Sequence, residues 1–226
     1  MNEDVAFAPH EGNLSLEEVA YRAIRQRIID GPMRTPQTYT ETQLAEHVGV
    51  SRTPIREALK RLRSEQVVEL RPKGSVLVRP VTPAFADEVY TIRALLEAHV
   101  TRVAAARIDD AALRRLREIC LLVEHNYREG HRERLGELYG EFHNQVITAA
   151  RMPLLAAHLN QLETNMLRFR RVTSVKPAIL VPSREEHVEI IDAMERRDHD
   201  AAERAAYRHV IRLKDAYVAA LLEEHV

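Results

Sequence analysis

The sequence is poor in cysteine and glycine, and it has no long apolar segment. Its 226 residues include one cysteine, Cys120, and seven glycines. A lone cysteine cannot form an intrachain disulfide, and without a Cys-x-x-Cys pair the chain cannot be a zinc finger. No apolar run approaches the ~18 residues of a membrane-spanning helix, and residues 1–13 are acidic and polar, unlike a signal peptide. We therefore expect a cytoplasmic protein without a membrane segment.

The scarcity of glycine also indicates the fold class. Because turns and sheets consume glycine and β-branched residues, a chain with few glycines and many Ala, Leu, Glu and Arg favours a mainly α fold. Neither glycine-rich phosphate loop, G-x-G-x-x-G or G-x-x-x-x-G-K-[ST], occurs in the sequence. The sequence thus offers no cradle for nucleotide-dependent chemistry.

The formal net charge of -1 conceals a basic segment. Residues 52–79 contain eight Lys or Arg side chains and three Glu, whereas the rest of the chain is acidic overall. A local excess of positive charge in an otherwise acidic chain is typical of a surface that binds a polyanion. A solvated helix face is the alternative that charge alone leaves open.

Hydrophobic spacing predicts three short helices before and within this basic segment. The first opens at the capping box Ser15-Leu16-Glu17-Glu18, and the second opens at Thr40-Glu41-Thr42-Gln43. The second ends at Gly49, whose missing Cβ permits the left-handed conformation of a sharp turn, and Ser51 is expected to cap the third. Two helices joined by a short turn with glycine predict a helix-turn-helix, whose second helix enters the major groove of DNA.

A basic hairpin is predicted after the third helix. The runs 67–70 and 75–78 are β-prone, and Arg71-Pro72-Lys73-Gly74 separates them. The stretch from Leu44 to Leu59, LAEHVGVSRTPIREAL, together with this hairpin resembles the winged helix-turn-helix of GntR-family bacterial transcription regulators. Gln66 departs from the family pattern, which usually has a glycine before the wing.

The resemblance implies which residues contact double-stranded operator DNA. Arg52 and Arg56 would be the main contacts, and arginine is the side chain that pairs bidentately with guanine. Thr53 and Lys73 would assist, and Gly74 would let the wing approach the sugar-phosphate backbone.

The rest of the chain predicts a second, helical module. Amphipathic helices are expected at 84–106, 110–129, 131–150, 153–175, 183–197 and 199–223, and a third capping box, Ser183-Arg184-Glu185-Glu186, opens the fifth. No repeat of fixed period occurs, which favours a bundle over a solenoid. The predicted fold is therefore mainly α, with a winged helix-turn-helix in residues 1–80 followed by an all-α antiparallel helical bundle in 81–226.

Short landmarks in the second module resemble the FCD effector domain of the FadR-type branch. They are Ile92-Arg93 with Glu97, Glu141-Phe142-His143, Glu185-Glu186-His187 with Ile190-Ile191, and Arg208-His209-Val210. This resemblance implies a domain that binds a small ligand and mediates dimerisation.

The resemblance also implies a metal site. Many FCD domains hold a divalent metal with one Asp and three His from different helices, and His143, His187 and His209 fall at the expected places. Imidazole ligands suit Zn, Ni, Fe or Mn sites to differing degrees. The Asp position, one turn before His143, is occupied by Tyr139, a poor ligand unless a metal deprotonates it. Without a metal, the three imidazoles could instead bind an anion directly.

Arg93 is the candidate effector-binding residue. In related domains an Arg at this place meets the effector carboxylate, for which the guanidinium fork is well shaped. The simpler interpretation is an i,i+4 ion pair with Glu97 on one helix face.

These features together predict a ligand-responsive transcription regulator rather than an enzyme. We expect a homodimer on a near-palindromic operator, repressing until a small organic acid releases it. Two alternatives are a metal-dependent hydrolase that uses the three-His site and a non-specific architectural DNA binder.

Overall fold

The computed structural model describes residues 14–31, 33, 37–131, 133–172 and 177–224. Its contacts divide the chain into two compact units. The first consists of the described residues of 1–81 together with Thr164–Arg171, and the second of those of 82–163 and 172–226. None of the helices in these described ranges is both long enough and apolar enough to cross a membrane.

The first unit contains the predicted helix-turn-helix. Its elements are α1 Leu16–Asp30, β1 Thr38–Thr40, α2 Glu41–Val48, α3 Arg52–Ser64, β2 Val68–Arg71 and β3 Ser75–Val78. Thr40 and Gln43 form the predicted capping box of α2, and Gly49 ends this helix at φ 77°. Ser51 occupies the N-cap position of α3 but its hydroxyl makes no capping hydrogen bond. Ser51 is therefore the N-cap residue of α3, as predicted, but it does not cap the helix through its hydroxyl.

A small antiparallel sheet forms the wing. The predicted hairpin of β2 and β3 is confirmed, and β1, which the sequence did not reveal, pairs with β3 to give the order β1-β3-β2. The hairpin turns at Lys73 and Gly74, with φ of 63° and 70°. Gln66 also has a positive φ, 59°, and so adopts the left-handed conformation that suits a glycine.

The second unit is the predicted bundle. Its helices are α4 Pro83–Arg107, α5 Asp110–Arg128, α6 Glu133–Ala150, α7 Pro153–Val172, α8 Pro177–Glu195 and α9 His199–Glu224, with part of α7 assigned to the first unit. Two ion pairs show that α4 and α9 are antiparallel, because Arg102 near the end of α4 lies 3.0 Å from Glu203, and Lys214 on the later part of α9 lies 2.9 Å from Asp87. The predicted mainly α fold is confirmed.

The later part of α7 belongs to the first unit through buried polar contacts. Thr164 Oγ1 donates a hydrogen bond of 2.8 Å to Glu65 Oε2, and Asn165 Nδ2 donates one of 2.7 Å to the Glu65 carbonyl. Tyr21 donates to the other carboxylate oxygen of Glu65 at 2.8 Å. A carboxylate this deeply buried requires such partners, so these residues fix the end of α3.

The fifth helix of the bundle differs from its prediction. Helix α8 begins at Pro177 rather than at Ser183, which lies inside it. The Ser183 hydroxyl accepts a hydrogen bond of 2.7 Å from Arg212 of α9, and Glu186 also binds α9. The predicted capping box is wrong, because side chains with the right local spacing are used by partners on another helix.

Candidate effector site and DNA-binding surface

Three helices of the bundle bring three histidines together. His143 lies on α6, His187 on α8 and His209 on α9, and one ligand nitrogen of each lies within 4.8 Å of the others. The Nε2 atoms of His187 and His209 are 3.2 Å apart. Both of these side chains are buried, and His143 is nearly so. The structure therefore brings the three predicted histidines together.

Two of the imidazoles are oriented by carboxylates. His209 Nδ1 lies 2.7 Å from Glu186 Oε2, and His143 Nδ1 lies 3.3 Å from Glu97 Oε2. Since a carboxylate can only accept, we assign the proton of each ring to Nδ1, which leaves Nε2 with a lone pair. This arrangement, in which the far nitrogen of a ligating histidine donates to a carboxylate, is a common outer layer of metal sites.

Burial keeps all three imidazoles uncharged at neutral pH. It lowers the pKa of His143 to about 4, even though Glu97 acts to raise it. Burial likewise lowers the pKa values of His187 and His209, and the neighbouring imidazoles add to this effect at His187. A neutral imidazole is the form that coordinates a metal. Direct binding of an anion is not favoured, because these rings carry no positive charge.

An ion pair on α4 supports the histidine cluster from one side. Arg93 Nε donates to Glu97 Oε1 at 2.6 Å, and both residues are buried, with 3% and 6% of their surfaces exposed. Burial acts to raise the pKa of Glu97, but Arg93 and His143 hold that pKa well below its usual value. The i,i+4 pairing expected from the sequence is therefore present. The pair leaves one guanidinium nitrogen of Arg93 available, because its buried Nη1 has no hydrogen-bond partner in the described part of the chain.

Tyr139 packs against the cluster. Its ring lies edge-on to that of His187, with the ring centroids 5.1 Å apart. Burial raises the pKa of the phenol well above its usual value, so Tyr139 is a weak candidate for an anionic ligand.

Beside the histidines is a cavity of about 10 Å³, the space of about one water molecule. Glu97, Thr101, His143 and His209 contribute its polar lining.

The sequence analysis did not identify two residues that organise this site. Glu186 orients His209, and Arg212 donates to Glu186 Oε2 at 2.8 Å and thereby keeps it charged and in place. Glu186 is adjacent in sequence to His187 but binds a histidine from a different helix. No local spacing signals such a pair, although the i,i+3 relation of His209 and Arg212 on α9 is compatible with it.

The predicted DNA contacts lie on two exposed elements of the first unit. Arg52, Thr53 and Arg56 occupy the first turns of α3, and all three are exposed. Lys73 is exposed at the tip of the wing, followed by Gly74. Arg52 and Arg56 both bind one carboxylate oxygen of Glu41, at 3.1 and 2.7 Å. The structure brings these two arginines together, while their role in base recognition stays a prediction.

A winged helix-turn-helix with an exposed basic first turn, combined with a helical domain that encloses a polar site, defines a transcription regulator of two modules. Comparison with known families identifies both modules. Residues 16–78 match the bacterial regulatory proteins of the gntR family, and residues 88–212 match the FCD domain. The chain belongs to the GntR family, with an FCD domain as its second module, and is a DNA-binding transcription regulator. The predicted resemblance and class of function are confirmed.

Characterised relatives and solved structures agree with this assignment. The chain is 25% identical to the HTH-type transcriptional repressor RspR of Escherichia coli over 208 residues, which span 87% of this chain and 86% of that protein. It is 38% identical to the gluconate operon transcriptional repressor of Bacillus licheniformis over 88 residues, or 38% and 36% of the two chains. The fold is similar to that of E. coli McbR/YncC, with a TM-score of 0.74, 22% identity, and coverage of 95% and 100%.

Proposed function

We propose that this protein is a cytoplasmic repressor that leaves its operator when a small carboxylate-bearing effector binds a metal-containing pocket in the FCD domain. Two of the relatives above are named repressors, which supports the direction of regulation. The observation that carries the proposal is the cluster of three neutral, converging imidazoles, two of them oriented by carboxylates, the buried Glu97 and the half-buried Glu186. A metal-dependent hydrolase would use the same cluster, but family membership does not favour it.

The residues of the cluster fit a divalent transition metal. His143, His187 and His209 would hold it, because one ligand nitrogen of each lies within 4.8 Å of the others and imidazole suits such a metal. Tyr139 replaces the carboxylate expected of the family, so the set supplies three nitrogen ligands and leaves other positions for water or effector oxygens. The metal would supply positive charge next to the pocket, where an anionic effector requires it.

Arg93 would bind the effector carboxylate. Its Nη1 is buried and lacks a partner among the described residues, which is the condition of a donor that awaits a ligand. Its Nε is held by Glu97, so the orientation of the guanidinium is fixed before the effector arrives. Pre-organisation of this kind reduces the entropic cost of binding.

DNA recognition would follow the geometry of winged helix-turn-helix proteins. Arg52 and Arg56, assisted by Thr53, would contact base edges in the major groove, while Lys73 and Gly74 would place the wing against the sugar-phosphate backbone. A homodimer would present two such surfaces to the two halves of a near-palindromic operator.

Metal loading tests the first part of the proposal. Full-length protein, stripped with chelator, is titrated separately with Zn, Ni, Mn and Fe(II) while the melting temperature and metal content are measured. We expect close to one equivalent per chain and a higher melting temperature, because the native state binds the metal. His187→Ala and His209→Ala should abolish the shift, and His158→Ala, which alters an exposed histidine on α7, should not. A melting temperature that ignores all four metals would overturn the metal claim.

Release from DNA tests the second part. Fragments selected by the metal-loaded protein from random DNA serve as the operator probe, and small carboxylic acids are screened for release. Arg93→Lys keeps the charge but loses the planar fork, so we expect it to weaken release while operator affinity is retained. Arg102→Lys, on the same helix but exposed, is the matched control. Equal release of both variants by every active acid would exclude Arg93 as the carboxylate-binding residue.

A further inference from the structure

Glu41 joins the two elements that are proposed to contact DNA. It is the first residue of α2, and its Oε2 accepts hydrogen bonds from Arg52 Nη2 at 3.1 Å and Arg56 Nε at 2.7 Å. The wing approaches the same side chain, because a Cβ placed on Gly74 would lie 3.5 Å from Glu41 Cδ. One carboxylate is thus in contact with the start of the recognition helix and adjacent to the wing tip.

Glu41 is much less exposed to solvent than the two arginines that it binds. The side chain of Glu41 is 15% exposed, whereas those of Arg52 and Arg56 are 55% and 53% exposed. Partial burial acts to raise the pKa of Glu41, but the hydrogen bonds from Arg56 and Arg52 lower it, so the carboxylate is ionised at neutral pH. Glu41 is therefore a largely buried anion that binds two arginines whose side chains are about half exposed.

The choice of nitrogens leaves a recognition group available. Arg56 uses Nε for Glu41, so Nη1 and Nη2 can together pair with the O6 and N7 atoms of guanine. A flexible arginine without such an anchor adapts to any nearby phosphate, which raises affinity for every sequence alike. A carboxylate near the DNA surface also disfavours unselective phosphate contacts by repulsion.

We propose that Glu41 is a specificity-determining positioning residue, which holds Arg52 and Arg56 in the orientation that reads operator bases and limits their use as general phosphate binders. This inference rests on the DNA-recognition role proposed above for the two arginines. Glu41 itself touches no base. Its contribution is to the ratio of operator affinity to random-DNA affinity.

Two substitutions at Glu41 separate positioning from charge. Glu41→Gln removes the anion, and Glu41→Asp keeps it but shortens the reach to two arginines. Operator and scrambled DNA of equal length are compared by fluorescence anisotropy at several salt concentrations, using full-length protein and the operator selected from random DNA. We expect both variants to lower the specificity ratio by about 10-fold, since each bidentate base contact carries discrimination of roughly this size. For scrambled DNA, the salt dependence should become steeper as the freed arginines contact phosphates.

Matched controls exclude a trivial change of charge or of helix stability. Glu46→Gln makes the same charge change at an exposed position of α2, and it should leave the specificity ratio unchanged. An acid in the first turn also stabilises a helix, so melting temperatures are measured for all variants. Loss of specificity without loss of melting temperature is expected only from a positioning role.

A double-mutant comparison distinguishes failure of this inference from failure of the proposed function. Arg52→Ala/Arg56→Ala should lose specificity, and adding Glu41→Gln to that variant should then have no further effect. If the arginine variant keeps its specificity, the proposed recognition surface is wrong. If it loses specificity but both Glu41 variants bind operator and scrambled DNA in the wild-type ratio, Glu41 has no positioning role.

Discussion

The buried pair of Arg93 and Glu97 allows the strongest quantitative prediction about the FCD domain. Arg93→Met keeps an apolar stem of similar length but removes the cation, which leaves the Glu97 carboxylate buried beside the neutral His143. Breaking a buried ion pair in this way destabilises a protein by about 3–5 kcal/mol, because an uncompensated charge remains in a medium of low polarity. Arg93→Met/Glu97→Met removes both charges, and replacing such a pair by apolar side chains is often close to neutral.

The measurement is a double-mutant cycle in urea at neutral pH with chelator present, so that a bound metal cannot contribute. We expect the double variant to recover at least about 2 kcal/mol of the free energy of unfolding lost in Arg93→Met. Arg102→Met is the control on the same helix, since Arg102 is also paired but exposed, and its effect should be far smaller. Arg93→Met with wild-type stability would show that Glu97 is not a buried anion, and the argument for an oriented His143 would fail with it.

Further predictions concern the wing, the recognition helix and the metal site. Gln66→Gly should raise the free energy of unfolding of the first unit by about 0.5–1 kcal/mol, because glycine adopts the observed φ of 59° without steric cost. Denaturant titration measures this free energy, and a decrease would contradict the prediction. Arg56→Ala should lose about 1–3 kcal/mol of operator discrimination, whereas Lys73→Ala should weaken operator and scrambled DNA equally and reduce the salt slope by about one unit in anisotropy titrations. Tyr139→Asp should lower the melting temperature of the metal-free protein, because a buried ring is lost. It should also increase the rise in melting temperature that Zn produces, because a carboxylate is the better ligand. Calorimetry with and without metal measures both effects, and an unchanged or smaller rise would mean that this position does not face the metal.

The structure changes how the ligand set of the FCD domain is interpreted. The sequence shows only that the expected Asp has become Tyr139, which by itself weakens the case for a metal. In the folded chain, Glu97 and Glu186 supply carboxylates to two of the histidines as hydrogen-bond acceptors. Negative charge is thus present in the site, but the carboxylates contact the Nδ1 atoms of the histidines and not the position of the metal.

Local physical chemistry made much of this protein predictable from its sequence. Three signals depend only on residues close together in the sequence: the capping box at Thr40, the left-handed Gly49 and the β-prone runs on either side of Pro72. They can therefore be recognised without knowledge of tertiary contacts. The same holds for the helical spacing that yields the bundle and for the i,i+4 pair of Arg93 and Glu97. These features sufficed for the fold class, whereas the family followed from the resemblance of residues 44–59 and the wing to GntR-family regulators.

Only the tertiary structure decided which of these groups act together. Glu186 stands beside His187 in sequence but orients His209, and Glu41 lies in a capping motif but binds two arginines of the next helix. Strand β1 of the wing likewise depends on its pairing with β3, which lies far along the chain. Such pairings carry no spacing signal, because they depend on how helices and strands pack. A carboxylate with the right local sequence binds whichever cation or N–H the packed helices bring nearest, and those partners keep it ionised although burial acts to raise its pKa.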